Sequence, residues 1–278
     1  MTTSSPTSTL PASASVPATA TGIPRTPGNL LCDTVTLAKR SLLKLKHNPG
    51  AIVDVVLLPI IFMLMFAYLF GGSVSGSVQA YLPTIVPGIV AFALLMATSN
   101  TGTQLREDIE TGVFDRIKSL PIAPLSPLTG MLTADIVRYV IASACAVKVG
   151  YLIGWRPAAG IGWVIAATLL VIFVMWCISW VFAFIGVAVK SSGTISATST
   201  LLTMVLGFVS NAIVATDSLP DALRVIAEHN PITYLVDAYR IMVESGTFGI
   251  EATCAVVASC AVLAVFIPAV TIAYRRKL

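Results

Sequence analysis

The sequence has few charged residues and many hydrophobic ones. Only 11% of its 278 residues are Asp, Glu, Lys or Arg, whereas 56% are hydrophobic, and the mean hydropathy is +0.89. Since roughly a quarter of the residues of a typical soluble domain are charged, this composition excludes one. Its hydrophobic runs are long and do not alternate with polar residues, so they predict membrane-spanning helices rather than barrel strands.

The sequence also lacks the motifs that carry nucleotide binding or catalysis. It has no GxxxxGK[ST] phosphate loop, no GxSxG nucleophile motif and no HExxH metal motif. The two histidines, His47 and His229, are predicted at opposite membrane faces, and the five cysteines are scattered without a CxxC pair. We therefore expect no enzyme activity, no metal or cofactor bound by this chain and no nucleic-acid partner. If ATP powers this protein, another chain binds it.

The N-terminal region divides into two parts. Residues 1–28 are almost entirely Thr, Ser, Pro, Ala and Gly, which predicts a disordered tail. This tail lacks the basic start and hydrophobic core of a secretory signal, so we expect no cleavage. In residues 29–48, apolar side chains repeat at alternating steps of four and three beside a cluster of Lys and Arg, which predicts a basic interfacial helix. The apolar positions are Leu31, Val35, Ala38, Leu42 and Leu45.

The hydrophobic runs predict six membrane spans. These cover residues 51–70, 83–104, 128–153, 161–189, 194–215 and 252–273. Twelve of the 17 Lys and Arg residues fall on the N-terminal side of the membrane and three on the other side. Because positive residues collect in cytoplasmic loops, both termini are predicted in the cytoplasm. We thus expect an all-α integral membrane protein in which residues 49–278 form one transmembrane domain.

The most highly charged stretch lies between the second and third predicted spans, at residues 104–127. Within it, apolar residues recur every four positions and form one stripe of a helix, while charged residues cover the rest. The stripe consists of Leu105, Ile109, Val113 and Ile117. Prolines at 121, 124 and 127 end the pattern. This predicts an amphipathic helix at about residues 105–120, which lies on the cytoplasmic membrane surface and could transmit force to the spans.

A second long segment outside the spans covers about residues 217–250. Its pattern predicts a short helix from Asp221 to His229, a turn at Asn230 and Pro231, and a further helix to Glu244. The apolar stripe of the further helix is too short to cross a membrane. We expect this hairpin to dip into the outer leaflet as a lid beside a substrate route.

Charged residues inside the predicted spans raise the free energy of membrane insertion, so they are expected to have a structural or functional role. Asp135 and Arg138 lie three residues apart on one face of the third span, where they can form a buried ion pair or take part in a proton relay. The sequence offers no further titratable groups at that depth, which favours the ion pair.

Asp54 lies one turn into the first span. Lys148 lies close enough to the outer end of its span for the side chain to reach the interface.

Several of these stretches resemble one family. DIETGVFDRIKSLP, from Asp108 to Pro121, resembles the D-x3-G-x2-[DE]-R-x4-P signature of ABC type-2 exporter permeases of the daunorubicin-resistance kind. Further similar stretches follow in the family's order, and the resemblance covers residues 30–278. They include PGI at 87–89, GYLIGWRP at 150–157, SNAIV at 210–214 and NPITYLVDAYR at 230–240.

The resemblance implies an N-terminal elbow helix, six spans, a cytoplasmic coupling helix and a re-entrant outer hairpin. It also implies a dimer of identical or related permeases above two cytoplasmic ABC ATPase subunits, which would bind ATP and Mg. The matching coupling-helix positions are Asp108, Gly112, Phe114, Asp115, Arg116 and Pro121, and those of the hairpin are Asn230, Pro231, Asp237 and Arg240.

Some details stay open within this resemblance. Asp115 and Arg116 either dock into the ATPase or pair within their own helix or with the elbow. The chain departs from the family pattern twice, since no acidic residue follows the Lys190–Ser191 turn and Ala215–Thr216 replaces a proline. These departures bear on the second cytoplasmic contact and on the outer hairpin.

From these features we expect a permease subunit of an ATP-driven exporter in a bacterial plasma membrane. It would move hydrophobic or amphiphilic molecules outward, such as lipids or polyketide-like drugs, because few charges line the predicted spans. Two alternatives remain. One is a membrane scaffold without transport activity, and the other is an intramembrane enzyme, for which only Asp54 and Asp135 would be available as a site.

Overall fold

The computed structural model describes residues 30–47, 49–112, 126–189, 191–212, 224, 227 and 230–277. Within them, eight α-helices have defined bounds and no strand occurs. In chain order these are α1 (Leu30–His47), α2 (Pro49–Ser75), α3 (Val78–Glu110), α4 (Ser126–Ile153), α5 (Ile161–Ala188), α6 (Ser192–Phe208), α7 (Pro231–Ser245) and α8 (Ile250–Lys277). The predicted all-helical architecture is confirmed.

Among the described helices, five are long and apolar enough to cross a membrane. Their spanning parts are Val55–Ser75, Val78–Glu110, Ser126–Ile153, Ile161–Ala188 and Ile250–Tyr274, which correspond to the first four and the last of the predicted spans. The predicted fifth span, residues 194–215, corresponds to α6, which has 17 residues and ends at Phe208. A helix of that length falls short of the ~20 residues that a full crossing needs.

The turn after α6 is built by a serine side chain. The Ser210 hydroxyl donates to the carbonyl oxygen of Gly207 at 2.7 Å and accepts the backbone N–H of Ala212 at 3.2 Å. Such short-range side-chain bonds compete with the helical ladder. They explain why the helix stops while the hydrophobic run continues.

α3 is the central helix of the bundle. Eighteen of its 33 residues are buried, and it packs against α2, α4, α5, α6 and α7. A helix that is apolar around most of its circumference is stable only inside a bundle, which is where α3 lies. Its N-terminus is capped by Ser77, whose hydroxyl accepts the backbone N–H of Ala80 at 3.2 Å. At ~1.5 Å per residue, α3 is about 50 Å long and reaches from one end of the bundle to the other.

α3 and α5 cross at two glycines. A Cβ atom on Gly102 would lie 2.5 Å from the carbonyl oxygen of Phe182, and a Cβ on Gly186 would lie 2.5 Å from the carbonyl oxygen of Gly102. No other residue permits this approach of the two backbones, and small residues at such crossings are typical of membrane helices. The crossing holds α3 against α5 at a defined height.

α6 packs on α3 through small side chains. Ser199, Thr203 and Gly207 are buried at steps of one turn, and a Cβ on Gly207 would lie 2.6 Å from the ring of Phe92. The polar residues of this helix therefore pack within one bundle at these positions. The opposite face of α6 is exposed and apolar, with Leu201, Met204, Val205 and Phe208.

α1 lies against the start of α4. The hydroxyls of Thr34 and Thr129 are 2.9 Å apart, and a Cβ on Gly130 would lie 2.7 Å from the Cβ of Leu37. In the predicted apolar stripe of α1, Ala38 is buried against the bundle, whereas Val35 is 67% exposed. The stripe therefore faces the bundle only in part.

Candidate functional site

Two groups of polar side chains lie along α3, one towards each of its ends. We call the first the Asp135 cluster, which consists of Thr98, Thr101, Gln104, Asp135, Arg138 and Tyr139. We call the second the Arg240 cluster, which consists of Thr84, Asn211, Asp237 and Arg240. Both combine charged groups with burial, and this combination in a membrane protein singles them out as candidate functional sites.

The Asp135 cluster is centred on an ion pair. Asp135 Oδ1 lies 3.2 Å from an Arg138 guanidinium nitrogen, and the two side chains are 2% and 12% exposed. The Thr101 hydroxyl donates to Asp135 Oδ2 at 2.8 Å, and Arg138 donates to Gln104 Oε1 at 3.1 Å. Each carboxylate oxygen and the guanidinium therefore has a partner, which is the condition under which a buried ion pair is tolerated.

A buried tyrosine extends the cluster along α3. The Thr98 hydroxyl lies 3.0 Å from the hydroxyl of Tyr139 and 2.7 Å from the carbonyl oxygen of Leu94. Thr98, Thr101 and Gln104 follow at steps of three and so share one face of α3, turned towards α4. The arrangement ties α3 to α4. In the part of the chain that the structure describes, no three His, Cys, Asp or Glu side chains come together to hold a metal ion.

α3 continues past the Asp135 cluster into the segment predicted as the coupling helix. Residues 105–110 complete α3, and Arg106 pairs with Glu110 at 2.9 Å. A turn follows in which the Gly112 N–H donates to the carbonyl of Ile109 at 3.2 Å. Residues 105–110 of the expected helix at about 105–120 are thus the last turns of α3, which ends at Glu110, and residues 113–120 lie outside the described residues.

The turn that follows α3 contains Gly112. This residue has φ 69°, a conformation that favours glycine, while a Cβ there would meet nothing within 4 Å. The glycine thus supplies the positive φ of the turn after α3. Of the other predicted coupling residues, Asp108 lies in the last turns of α3. Phe114, Asp115, Arg116 and Pro121 lie outside the described residues.

α7 begins at an asparagine that joins it to the end of α6. The Asn230 side chain accepts the N–H of Ile232 at 2.9 Å, and its amide donates to the carbonyl oxygens of Leu206 and Val209 at 2.9 and 2.6 Å. Pro231 occupies the first helical position, where its missing N–H leaves no bond unmade. The Asn-Pro pair predicted as a turn is therefore the N-cap of α7 and its attachment to α6.

The Arg240 cluster fixes the middle of α7. Arg240 donates to the carbonyl oxygens of Thr84 on α3 at 3.0 Å and Asn211 at 2.7 Å, and it lies 3.4 Å from Asp237 Oδ1. The Asn211 side-chain amide donates to the same Asp237 oxygen. Burial raises the pKa of the Asp237 carboxyl, and the nearby Arg240 guanidinium opposes that rise. The cluster thus joins three segments that are far apart in sequence.

α7 runs alongside the first half of α5. The Ala159 N–H, just before α5, donates to the carbonyl of Val243 at 3.0 Å, and the hydroxyls of Thr168 and Tyr239 are 3.1 Å apart. Gly246, with φ 66°, ends α7 beside that same loop. Since α5 is long enough to span a membrane, the N-terminus of α7 lies beside its spanning part and not beyond its end.

Sequence reasoning missed most partners in both clusters. The spacing of Thr98, Thr101 and Gln104 is a usable signal, because it places three polar side chains on one face of an apolar helix. The acceptors of Arg240 are backbone carbonyls, for which the sequence carries no signal. Of the charged residues considered alone, Lys148 lies exposed on the outside of α4. The side chain of Asp54 lies outside the described part, as do His229 and the rest of the first hairpin helix apart from Arg224 and Ala227.

Comparison with known proteins gives a consistent result. The family model described as "ABC-2 type transporter" matches residues 33–243 of this chain. A similar protein is the "Daunorubicin resistance ABC transporter permease protein DrrB1" of Streptomyces coeruleorubidus. It is 36% identical over 245 residues, which cover 88% of this chain and 86% of that protein.

Proposed function

The chain belongs to the ABC-2 type transporter family and is an integral membrane permease, and from this premise we propose that it exports hydrophobic or amphiphilic molecules with energy from a separate ATPase. ATP and Mg would bind in two cytoplasmic ABC ATPase subunits. A second permease, identical or related, would complete a dimer. The proposed location is the bacterial plasma membrane, with both chain termini in the cytoplasm.

One observation carries the proposed mechanism, namely that a single central helix contacts both polar clusters. Thr101 and Gln104 bond to α4 towards one end of α3, and the Thr84 carbonyl accepts from Arg240 towards the other. At Gly102, within the first of these two contacts, the glycine crossing holds α3 against α5. Force applied at the Glu110 end of α3 would therefore reach α7 through a helix that shifts as one rigid body.

The proposed point of entry for that force is the segment that follows α3. Its matched positions are Asp108, Gly112, Phe114, Asp115, Arg116 and Pro121. A helix that carries charges of both signs beside an apolar stripe can insert the stripe into a partner groove and make charge-assisted hydrogen bonds at its edges. ATP-driven closure of the partner subunits would then displace α3. In this mechanism α7 and its N-cap at Asn230 and Pro231 act as a lid that moves with α3.

The proposed cargo follows from the charge distribution. Asp135 and Arg138 neutralise each other and are tied to α3, so they are not free to bind an ionic cargo. The relative named above is described as a daunorubicin resistance protein, and efflux of a polyketide-like drug is the proposal that this similarity supports. Lipids are the second proposed cargo, since they share the same amphiphilic character.

The test is reconstitution of the permease in lipid vesicles with a candidate ATPase subunit. We expect the two to co-purify, and we expect a polycyclic drug or a lipid dye to stimulate ATP hydrolysis and to leave the vesicles only when ATP is present. The control is the same mixture with an ATPase subunit that cannot bind the permease. A purified, active complex without an ATP-hydrolysing subunit would rule the proposal out, and so would labelling that found residues 104–127 outside the cell.

A further inference from the structure

An apolar groove of about 410 Å³ lies between α5, α7 and α8. Its walls are Val174 and Ile178 of α5, Tyr234 in the first turn of α7, and one side of α8 from Cys254 to Val262. It is well over twice the size of a dry, apolar ~150 Å³ cavity that holds benzene in an engineered protein. The groove is separate from both polar clusters.

The groove is elongated along α8. The lining residues of α8 lie between Cys254 and Val262, a stretch of nine residues whose eight steps cover about 12 Å at ~1.5 Å per residue. Because α8 is long and apolar enough to span a membrane, the long axis of the groove follows the direction in which lipid chains extend. Its shape therefore suits an extended chain rather than a compact molecule.

The chemistry of the lining is almost wholly apolar. Among the residues that the structure describes, no charged residue lines the groove, and the hydroxyl of Ser259 is already bonded to the carbonyl oxygen of Ala255 at 2.7 Å. The remaining polar groups are the phenol of Tyr234 and the thiol of Cys254, both on exposed residues. Without a carboxylate to pair with, a cationic polycyclic drug would lose its solvation on entry and gain no ion pair in return.

The surroundings of the groove indicate where a ligand would come from. Cys254 and Ala258 are exposed, and so is the neighbouring Val257 at 63%. On a helix of membrane-spanning length and composition, such exposed apolar residues face the hydrocarbon of the bilayer. Within the part of the chain that the structure describes, the groove is thus open to the acyl chains of membrane lipids.

We propose that this groove binds one hydrocarbon chain of a membrane phospholipid. The bound chain packs between α5 and α8 and against Tyr234, so it supports the first turn of α7. Occupancy by lipid does not depend on which cargo the permease exports. Lipid binding in the groove makes the position of α7 sensitive to the lipid composition of the membrane.

The experiment uses the full chain in lipid nanodiscs that contain a phospholipid with a photoactivatable diazirine on its acyl chain. After irradiation, the labelled residues are mapped by peptide mass spectrometry. We expect label on the groove residues, including Tyr234 and Cys254, and loss of this label when the same unlabelled phospholipid is added in excess. Label spread evenly over exposed faces such as that of α2, without such competition, would overturn the proposal.

Two tryptophan substitutions on α8 sharpen the test. Ala258→Trp fills the groove, while Ala264→Trp adds the same side chain at an exposed position that does not line it. We expect groove labelling to be lost in the first variant and kept in the second. Equal labelling in both variants contradicts lipid binding. If Ala258→Trp fails to fold by gel filtration, Ala258→Leu serves in its place with a partial loss expected.

A competition arm separates lipid from cargo. A cationic polycyclic drug added to the wild-type nanodiscs should leave groove labelling unchanged. Displacement of the label by the drug would identify the groove as a cargo site and overturn the assignment to lipid. Because this readout requires neither ATP nor a partner subunit, its failure is distinguishable from failure of the proposed export function.

Discussion

Arg240 on α7 donates a hydrogen bond to the backbone carbonyl oxygen of Thr84 on α3, 156 residues earlier, at 3.0 Å. Thr84 lies in the second turn of α3, between Pro83 and Pro87. The same guanidinium also reaches the carbonyl of Asn211 at 2.7 Å. A planar group with several donors can bond both carbonyls at once, which the ammonium of a lysine does less well. Arg240 is thus the link between the central helix, the end of α6 and α7.

Replacing Arg240 with methionine should destabilise the protein and abolish export. The change removes two charge-assisted hydrogen bonds, each worth about 1.5–3 kcal/mol, and it releases α7 from α3. Arg240→Lys should show an intermediate loss. The measurements are the melting temperature of the purified protein in detergent and cargo export from reconstituted vesicles.

Arg156 provides the matched control for this prediction. It is also an arginine, but it lies exposed in the loop before α5. Its guanidinium donates to the carbonyls of Tyr151, in the last turn of α4, and Trp155, and it lies 5.8 Å from the Tyr151 ring. Arg156→Met should therefore melt and export much like the wild type. Full export by Arg240→Met would show that α7 need not be held to α3.

Asp135 and Arg138 should behave as a coupled pair. Asp135→Asn or Arg138→Met alone leaves an uncompensated buried charge, which costs several kcal/mol, so each single variant should express poorly. The double variant should recover part of the loss, because no charge remains. The check is a double-mutant cycle on the yield of folded protein and on melting temperature, with a coupling of about 0.5–3 kcal/mol expected for residues in contact. Strictly additive losses would contradict the pairing.

The sequence predicts those features of the fold that depend on residues close together on one helix. Asp135 and Arg138 were predictable as a pair because both are on one helix, three residues apart, in a run where charges are rare. The end of α6 at Phe208 was not, since Val209, Ala212 and the apolar residues after them continue the hydrophobic run. The helix ends there because the Ser210 side chain forms hydrogen bonds with nearby backbone groups. Hydropathy does not predict such local hydrogen bonds.

The candidate sites show the same division. The Asn-Pro pair at Asn230 predicted a helix boundary correctly, because Pro is favoured at the first helical position. The carbonyls that Asn230 and Arg240 bind could not be predicted, since every residue has a carbonyl and only the tertiary fold selects among them. The pairing of Asp237 with Arg240 follows from α7 alone, three residues apart, whereas the contact of Asp237 with Asn211 depends on how the segment after α6 meets α7.

The glycine crossing of α3 and α5 gives a stability prediction. Gly102→Ala places a Cβ 2.5 Å from the carbonyl oxygen of Phe182, and the rigid backbone there cannot move aside without separating the helices. We expect a loss of about 1–3 kcal/mol, typical of overpacking, and a lower melting temperature. Gly72→Ala in α2 is the control, because a Cβ there meets nothing within 4 Å, and replacing a glycine by alanine within a helix stabilises it by roughly 0.5–1 kcal/mol. Equal melting temperatures for the two variants would count against the close crossing.

The segment after α3 gives the prediction on which the proposed mechanism depends. Replacing Asp115 and Arg116 together with alanine should leave membrane insertion intact but abolish ATP-dependent export, because the proposed docking contacts with the ATPase are lost. ATP hydrolysis should then no longer respond to cargo.

The control is Arg106→Gln with Glu110→Gln, which removes an ion pair four residues apart within α3. That pair is worth about 0.3–0.5 kcal/mol, and the control variant should retain coupling. Cargo-stimulated hydrolysis and full export by the Asp115 and Arg116 double variant would place the docking surface elsewhere. Loss of coupling in the control as well would instead assign the effect to the last turns of α3.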